Sequence, residues 1–320
     1  MTVRPGDTDR YQILALSGGG FRGLYSARFL ERCETSFGID IAKRFNLIAG
    51  TSIGALIAAG LGLGVPTKTI VSKFEEHGKV IFNKRLLTSA RRKIVSAPYT
   101  TESVANAIKE TLGDAAEATL DEIDAPLLIV AVNYTTGAAA LFRSRGLAGG
   151  DADSITVEDA ILASAAAPTF FPIKKIEETD FIDGGLIANA PDLSALIDAC
   201  TYHNADFSRS YMLSIGTASR REGAAVHSGT QNHGGIDWVK NRGLIETVMA
   251  AQETLSIAQA VALLGSRFLR VDQEPAANQV ADIAEMDEAT EAATRTLRAL
   301  AEQSWERHRR SRKLRDYFVR

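Results

Sequence analysis

Phe45-Asn46-Leu47-Ile48-Ala49-Gly50-Thr51-Ser52-Ile53-Gly54-Ala55-Leu56-Ile57-Ala58-Ala59 is the stretch that decides the architecture. Phe45 to Ala49 reads as a buried strand and Ala55 to Ala59 as part of an apolar helix, with Gly50-Thr51-Ser52-Ile53-Gly54 between them. A G-x-S-x-G pentapeptide at such a junction demands a sharp turn. Glycine is needed on both flanks because a side chain there would collide with neighbouring backbone, and the turn lifts the serine hydroxyl over a helix N-terminus. Ser52 is therefore a candidate nucleophile, on the strength of its strand-turn-helix context more than of the pentapeptide alone.

Working outward, Tyr11 to Leu16 reads as a buried strand, Ser17-Gly18-Gly19-Gly20-Phe21-Arg22-Gly23 as a loop, and Leu24 to Phe37 as an amphipathic helix. Ser52 to Gly64 is the second helix and Pro66 opens a third. This alternation predicts an α/β fold on a mainly parallel sheet, with both glycine loops at the same sheet edge. Leu127 to Val132 and Ala138 to Arg143, joined by Asn133-Tyr134-Thr135-Thr136-Gly137, read as a hairpin at the sheet edge. A helix from Val157 to Ala167 is broken by Pro168-Thr169-Phe170-Phe171-Pro172. Phe181-Ile182 then leads into Asp183-Gly184-Gly185, and Tyr211 to Gly216 is a late buried strand. Residues 217 to 243 are loop-rich. From about Leu244 the pattern is mostly helical, broken near Pro275. The expected organisation is a catalytic domain over 1-220, with a helical portion over 221-320 packed on the same domain.

Composition narrows the function classes. A net charge of -3 over 320 residues gives no global attraction to nucleic acid or to an anionic membrane. Cys33 and Cys200 make neither a disulfide framework nor a C-x-x-C pair, which fits a reducing compartment. The N-terminal residues carry no apolar signal core, and no segment has eighteen uninterrupted apolar residues, so a cytoplasmic protein is expected. Local basic character is confined to Lys79 to Lys93, with Lys84, Arg85, Arg91 and Arg92, and to Arg307 to Arg315. Either segment suits phosphates or a lipid surface, and equally a solvated face.

Gly18, Gly19 and Gly20 place unhindered backbone N–H groups at a helix N-terminus, a suitable oxyanion hole beside an exposed serine, with Arg22 adding charge or holding the loop. The same residues match G-x-G-x-x-G. A dinucleotide fold, however, wants an acid at the end of the next strand, where Gly50-Thr51-Ser52 stands instead. The base for Ser52 is Asp183, an ionised carboxylate at a strand end with backbone freedom around it, or one of His203, His227 and His233. The Ser-Asp dyad is the simpler arrangement.

Gly18-Gly19-Gly20-x-Arg22-Gly23, Gly50-x-Ser52-x-Gly54 and Asp183-Gly184-Gly185, in that order, resemble the patatin-like phospholipase family. Ala163-Ser164-Ala165-Ala166-Ala167-Pro168, Asn189-Ala190-Pro191 and Leu213-Ser214-Ile215-Gly216-Thr217 extend the similarity over about residues 11 to 220. Ala190 departs from the family's frequent Asn-Asn-Pro. The resemblance implies a three-layer α/β/α fold and a metal-independent lipid acyl hydrolase, with Ser52 as nucleophile, Asp183 as base and the Gly18–Gly20 loop with Arg22 as oxyanion region. The helical C-terminal third further resembles effectors of anti-phage systems, phospholipases switched on by a cyclic dinucleotide such as cyclic GMP-AMP. Implied partners are a phospholipid membrane surface and that activator; a homo-oligomer is allowed and a nucleic acid polymer is not expected. A constitutive lipid acyl hydrolase and a catalytically silent binding protein are the alternatives.

Overall fold

The structure, a computed structural model, describes residues 10–82, 97, 99–144, 154–219 and 244–319. Strands β1 (Tyr11–Leu16), β2 (Leu47–Thr51), β3 (Leu127–Asn133), β4 (Ala138–Arg143), β5 (Lys174–Ile176), β6 (Thr179–Asp183), β7 (Ser210–Ile215) and β8 (Phe268–Val271) form one sheet. Its order is β5-β6-β3-β2-β1-β7-β8, with β4 also paired to β3. The neighbours from β3 through β2, β1 and β7 to β8 run parallel, whereas β4, β5 and β6 pair antiparallel.

Side-chain alternation along the strands builds two cores. Leu14 and Leu16 of β1 join the larger one, and Ile13 and Ala15 the smaller. The larger core is covered by α1 (Gly23–Phe37), α2 (Ile53–Gly62), α3 (Thr67–Ile81), α4 (Thr101–Leu112), α5 (Val157–Ser164), α9 (Glu291–His308) and α10 (Arg312–Phe318). The smaller is covered by α7 (Asp192–Tyr202) and α8 (Leu244–Leu264), and the short α6 (Gly185–Ala188) lies between β6 and α7. Three layers result, as the alternation of strands and helices predicts. The periodic segments form helices for legible reasons: α1 buries Leu24, Phe29, Leu30 and Cys33 on one face and stops at Gly38, whose φ of 62° is left-handed.

Three local features that the sequence reading did not give have physical causes. β2 runs on through Gly50 and Thr51, past the apolar run, because both pair in register with β3. The hairpin of β3 and β4 lies at a sheet edge, as expected, since β4 pairs only with β3 among the described residues, but the opposite flank of β3 is shared by two strands, β2 and β6. Within the mostly helical C-terminal part, Phe268–Val271 adds a parallel strand beside β7, too short to show a period of its own. α8 lies in a segment, Leu244–Arg267, long and apolar enough by composition to cross a membrane. It packs along α6 and α7 and leaves Leu255 and Val261 exposed.

Candidate active site

Register brings the two chief candidates together. Thr51, the last residue of β2, pairs with Val130 of β3, and Asp183, the last residue of β6, pairs with Ala131. Because β4 occupies the other flank of β3, β2 and β6 abut end to end along one flank, carboxyl end facing carboxyl end. Adjacent β3 residues are about 3.3 Å apart along the strand, so Ser52 and Asp183 meet where the two strands stop. The Ser52 hydroxyl lies near enough to the Asp183 carboxylate to favour its anion.

The turn at Ser52 is strained. Its φ is 55° and ψ is -122°, a conformation that side-chain-bearing residues rarely adopt. A Cβ on Gly50 would lie 2.2 Å from the Gly54 carbonyl oxygen, and one on Gly54 2.3 Å from that of Leu16. The flanking glycines therefore answer to backbone contact. On the far side of the turn, the Ser52 N–H donates to Ser164 Oγ at 2.8 Å, and Ser164 Oγ donates to the Val130 carbonyl at 2.5 Å. Val130 is where β3 loses β2 and gains β6. The end of α5 fills that break, since Asp183 N–H donates to Ala166 O at 3.0 Å and Gly184 N–H to Ser164 O at 3.3 Å. A Cβ on Gly184 would lie 2.1 Å from Val130 O, so this turn is equally tight.

The glycine loop separates into donors and supports. The Gly18 N–H is committed to the Asn189 carbonyl at 2.9 Å and the Phe21 N–H to the Met286 carbonyl at 2.8 Å. Among the described residues, the Gly19 and Gly20 N–H groups have no acceptor, and both residues line the Ser52 cavity. Arg22 does not line it: its guanidinium is buried, and burial lowers its pKa while Glu253, Asp272 and Glu285 oppose that. A Cβ on Gly23 would touch Ile53 at 2.8 Å, so that glycine allows α1 to approach α2.

Burial pushes the Asp183 carboxyl up to about 6, against the Gly185 N–H bond at 2.6 Å and the Ser52 hydroxyl, which both favour the anion. The site opens on a cavity whose walls are mainly apolar, including Ile53, Leu56, Ile81, Phe82, Phe170 and Phe171. Asp287 stands at its edge, bound by the Tyr99 hydroxyl at 2.6 Å. A hydroxyl on a strained turn, a buried carboxylate beside it, free N–H donors and an apolar cavity suit acyl transfer from a lipid-like ester.

The histidine alternatives fare differently. His203 Nε2 lies 3.3 Å from Asp198 and does not line the cavity. His227 and His233 lie outside the described residues, as do Lys84, Arg85, Arg91 and Arg92. Glu76, His77 and Glu110 cluster tightly enough for a metal ion, but the Lys73 ammonium already contacts Glu76 at 2.9 Å and Glu110 at 3.2 Å.

The sequence reading missed a charged network behind the loop. The buried Arg270 guanidinium donates to Ser17 Oγ at 2.9 Å, Ser214 Oγ at 2.8 Å, Glu253 at 2.8 Å and Asp272 at 2.8 Å. Glu253 also accepts from Asn189 Nδ2 at 2.7 Å. A Cβ on Gly216 would lie 1.9 Å from the Asp272 carboxylate, which accounts for that glycine. One signal was present: Glu253 is the sole charged residue between Thr247 and Ser266.

The sequence profile of the family described as Patatin-like phospholipase matches residues 14–196, more than half of the chain. The chain belongs to this family. The curated patatin-like relatives include a cGAMP-activated phospholipase of Pseudomonas aeruginosa, 34% identical over 291 residues, covering 90% of this chain and 86% of that protein. A cGAMP-activated phospholipase of Vibrio cholerae is 28% identical over 340 residues, covering 97% and 95%. A cUMP-AMP-activated phospholipase of Escherichia coli is 30% identical over 223 residues, covering 66% of each. The matched span holds the glycine loop, Ser52, Ser164 and Asp183 together, so the patatin-like scaffold includes the whole convergence at β3.

Proposed function

We propose that this patatin-like protein is a serine phospholipase of A type, gated by a cyclic dinucleotide, that cleaves acyl esters of membrane glycerophospholipids. The observation that carries it is the convergence of β2 and β6 on β3, which sets the Ser52 hydroxyl against the buried Asp183 carboxylate beside the unpaired Gly19 and Gly20 N–H groups. Asp183 takes the Ser52 proton as Oγ attacks the ester carbonyl, and Gly19 and Gly20 donate to the developing oxyanion. Collapse expels the lysophospholipid alkoxide, which receives the proton from Asp183. Asp183 then deprotonates a water that attacks the acyl-enzyme, releasing fatty acid and restoring Ser52. A carboxyl pKa near 6 suits both halves, being ionised at neutral pH yet able to return a proton.

Support for the gate comes from the relatives, which are named as activated by cGAMP or by cUMP-AMP. Gating also answers a physical need, because an unregulated phospholipase would attack the membrane of its own cell. In this reading the protein works at the inner membrane surface as a peripheral enzyme in anti-phage defence. The test is fatty-acid release from phosphatidylethanolamine and phosphatidylglycerol vesicles by wild type and Ser52→Ala, with and without a panel of cyclic dinucleotides. Ser52-dependent release that needs one cyclic dinucleotide supports the whole proposal. Equal release without any would remove the gate, and release undiminished in Ser52→Ala would remove the nucleophile.

A further inference from the structure

Resting on the acyl-hydrolase reading, we propose that a second cavity, between α3 and α4, takes the distal end of the acyl chain and so sets the chain length that this protein cleaves. The two cavities share one wall, formed by Ile53, Leu56, Ile81, Phe82 and Ala107. A further, smaller apolar space thus lies directly across that shared wall from the Ser52 cavity. Phe21 and Phe74 supply its aromatic surface, both nearly fully buried. Phe21 reaches it because Gly78 has no side chain: a Cβ there would lie 2.3 Å from the Phe21 ring.

The outer limit of this cavity is ionic. Lys73 and His77 line it, with Lys73 held by Glu76 at 2.9 Å and Glu110 at 3.2 Å. An alkyl tail gains by filling the apolar interior but offers nothing to replace these charge contacts, so the chain ends at that rim. Methylenes that reach the second cavity add to binding and methylenes beyond it do not. Phe21 directly follows Gly20, whose N–H faces the reacting carbonyl in the proposed mechanism, so one loop borders both the head and the tail of the bound acyl group.

Thr111 tests this without touching the Ser52 cavity. It lines only the second space, and its hydroxyl bonds within α4 to the Ala107 carbonyl at 2.6 Å. The assay is kcat/KM on p-nitrophenyl esters from butyrate to palmitate, for wild type, Ser52→Ala, Thr111→Phe and the milder Thr111→Met, with cyclic GMP-AMP present and Tm measured for each. In wild type, kcat/KM rises about fourfold per methylene over the lengths that fill the second cavity, and then levels. Thr111→Phe keeps butyrate hydrolysis within about twofold and loses tenfold or more on the longest chains. Thr111→Met shifts the plateau to shorter chains, and it carries the test if the phenylalanine variant does not fold.

Length profiles of both variants that parallel wild type would overturn the acyl-chain site, as would an equal loss at every length. Hydrolysis undiminished in Ser52→Ala would instead overturn the hydrolase reading beneath it. If no ester is turned over, fatty acids from butyrate to palmitate titrated into the same proteins by calorimetry give the answer without chemistry. Affinity that climbs with length in wild type but not in Thr111→Phe supports the site, and identical affinities refute it.

Discussion

Replacing Asp183 by asparagine should make this protein more stable at neutral pH while abolishing turnover. The carboxyl pKa stands at about 6, raised from 3.8, because the buried site disfavours the anion more than Gly185 and Ser52 favour it. A shift of roughly two units corresponds to about 3 kcal/mol. The folded state binds the Asp183 proton more tightly than the unfolded state, so this contribution is fully present below the unfolded value of about 3.9 and lost as pH rises through about 6. Asparagine is neutral throughout, and its side-chain oxygen can still accept from the Gly185 N–H. Asp183→Asn should therefore match wild type near pH 4 and exceed it by up to about 3 kcal/mol at pH 8. With about 2.1 cal/mol/K per residue, 320 residues give an unfolding entropy near 0.7 kcal/mol/K, hence a Tm increase of about 4 °C. Differential scanning calorimetry of both proteins from pH 4 to 8 measures the gap. A gap that is constant with pH, or a variant less stable at pH 8, would refute burial as the source of the raised pKa.

Three further outcomes follow from the same geometry. In the activated enzyme, kcat/KM should fall about tenfold between pH 7 and pH 5 as Asp183 takes up its proton near 6, which a pH–rate profile of Ser52-dependent ester hydrolysis will show. Ser164→Ala removes the acceptor of the Ser52 N–H and the donor to Val130, so it should cost about 1–3 kcal/mol in denaturant titration and lower kcat by up to about 100-fold with little change in KM. Gly54→Ala should leave no soluble, cooperatively folded protein by thermal melt, because its Cβ would sit 2.3 Å from the Leu16 carbonyl oxygen, a backbone atom held by the β1–β2 pairing.

Much of the candidate site was legible because glycine reports backbone contact. Gly50, Gly54 and Gly184 each stand where a Cβ would meet another backbone atom at 2.1–2.3 Å, so the sequence marks the turns that hold Ser52 and Asp183. Arg22 and Gly18 read less well. A motif gives adjacency along the chain, but whether an N–H faces a cavity depends on what else it meets, here the Asn189 carbonyl for Gly18, while the Arg22 guanidinium is buried away from the Ser52 cavity. Ser164 lay inside a stretch already noticed, but its task depends on Val130, 34 residues earlier, and on Ser52, 112 residues earlier.

By itself the sequence determined the alternation of strands and helices, the tight turn at Ser52 and the carboxylate that ends β6, because each rests on local sterics and on periodic apolar residues. Tertiary structure alone decided that β2 and β6 share one flank of β3, that Arg270 joins β8 to the glycine loop, and that α3 and α4 border a second apolar space sharing a wall with the Ser52 cavity. Those features depend on strand order and on contacts between distant segments. The local pattern of a strand is the same whichever neighbour it pairs with.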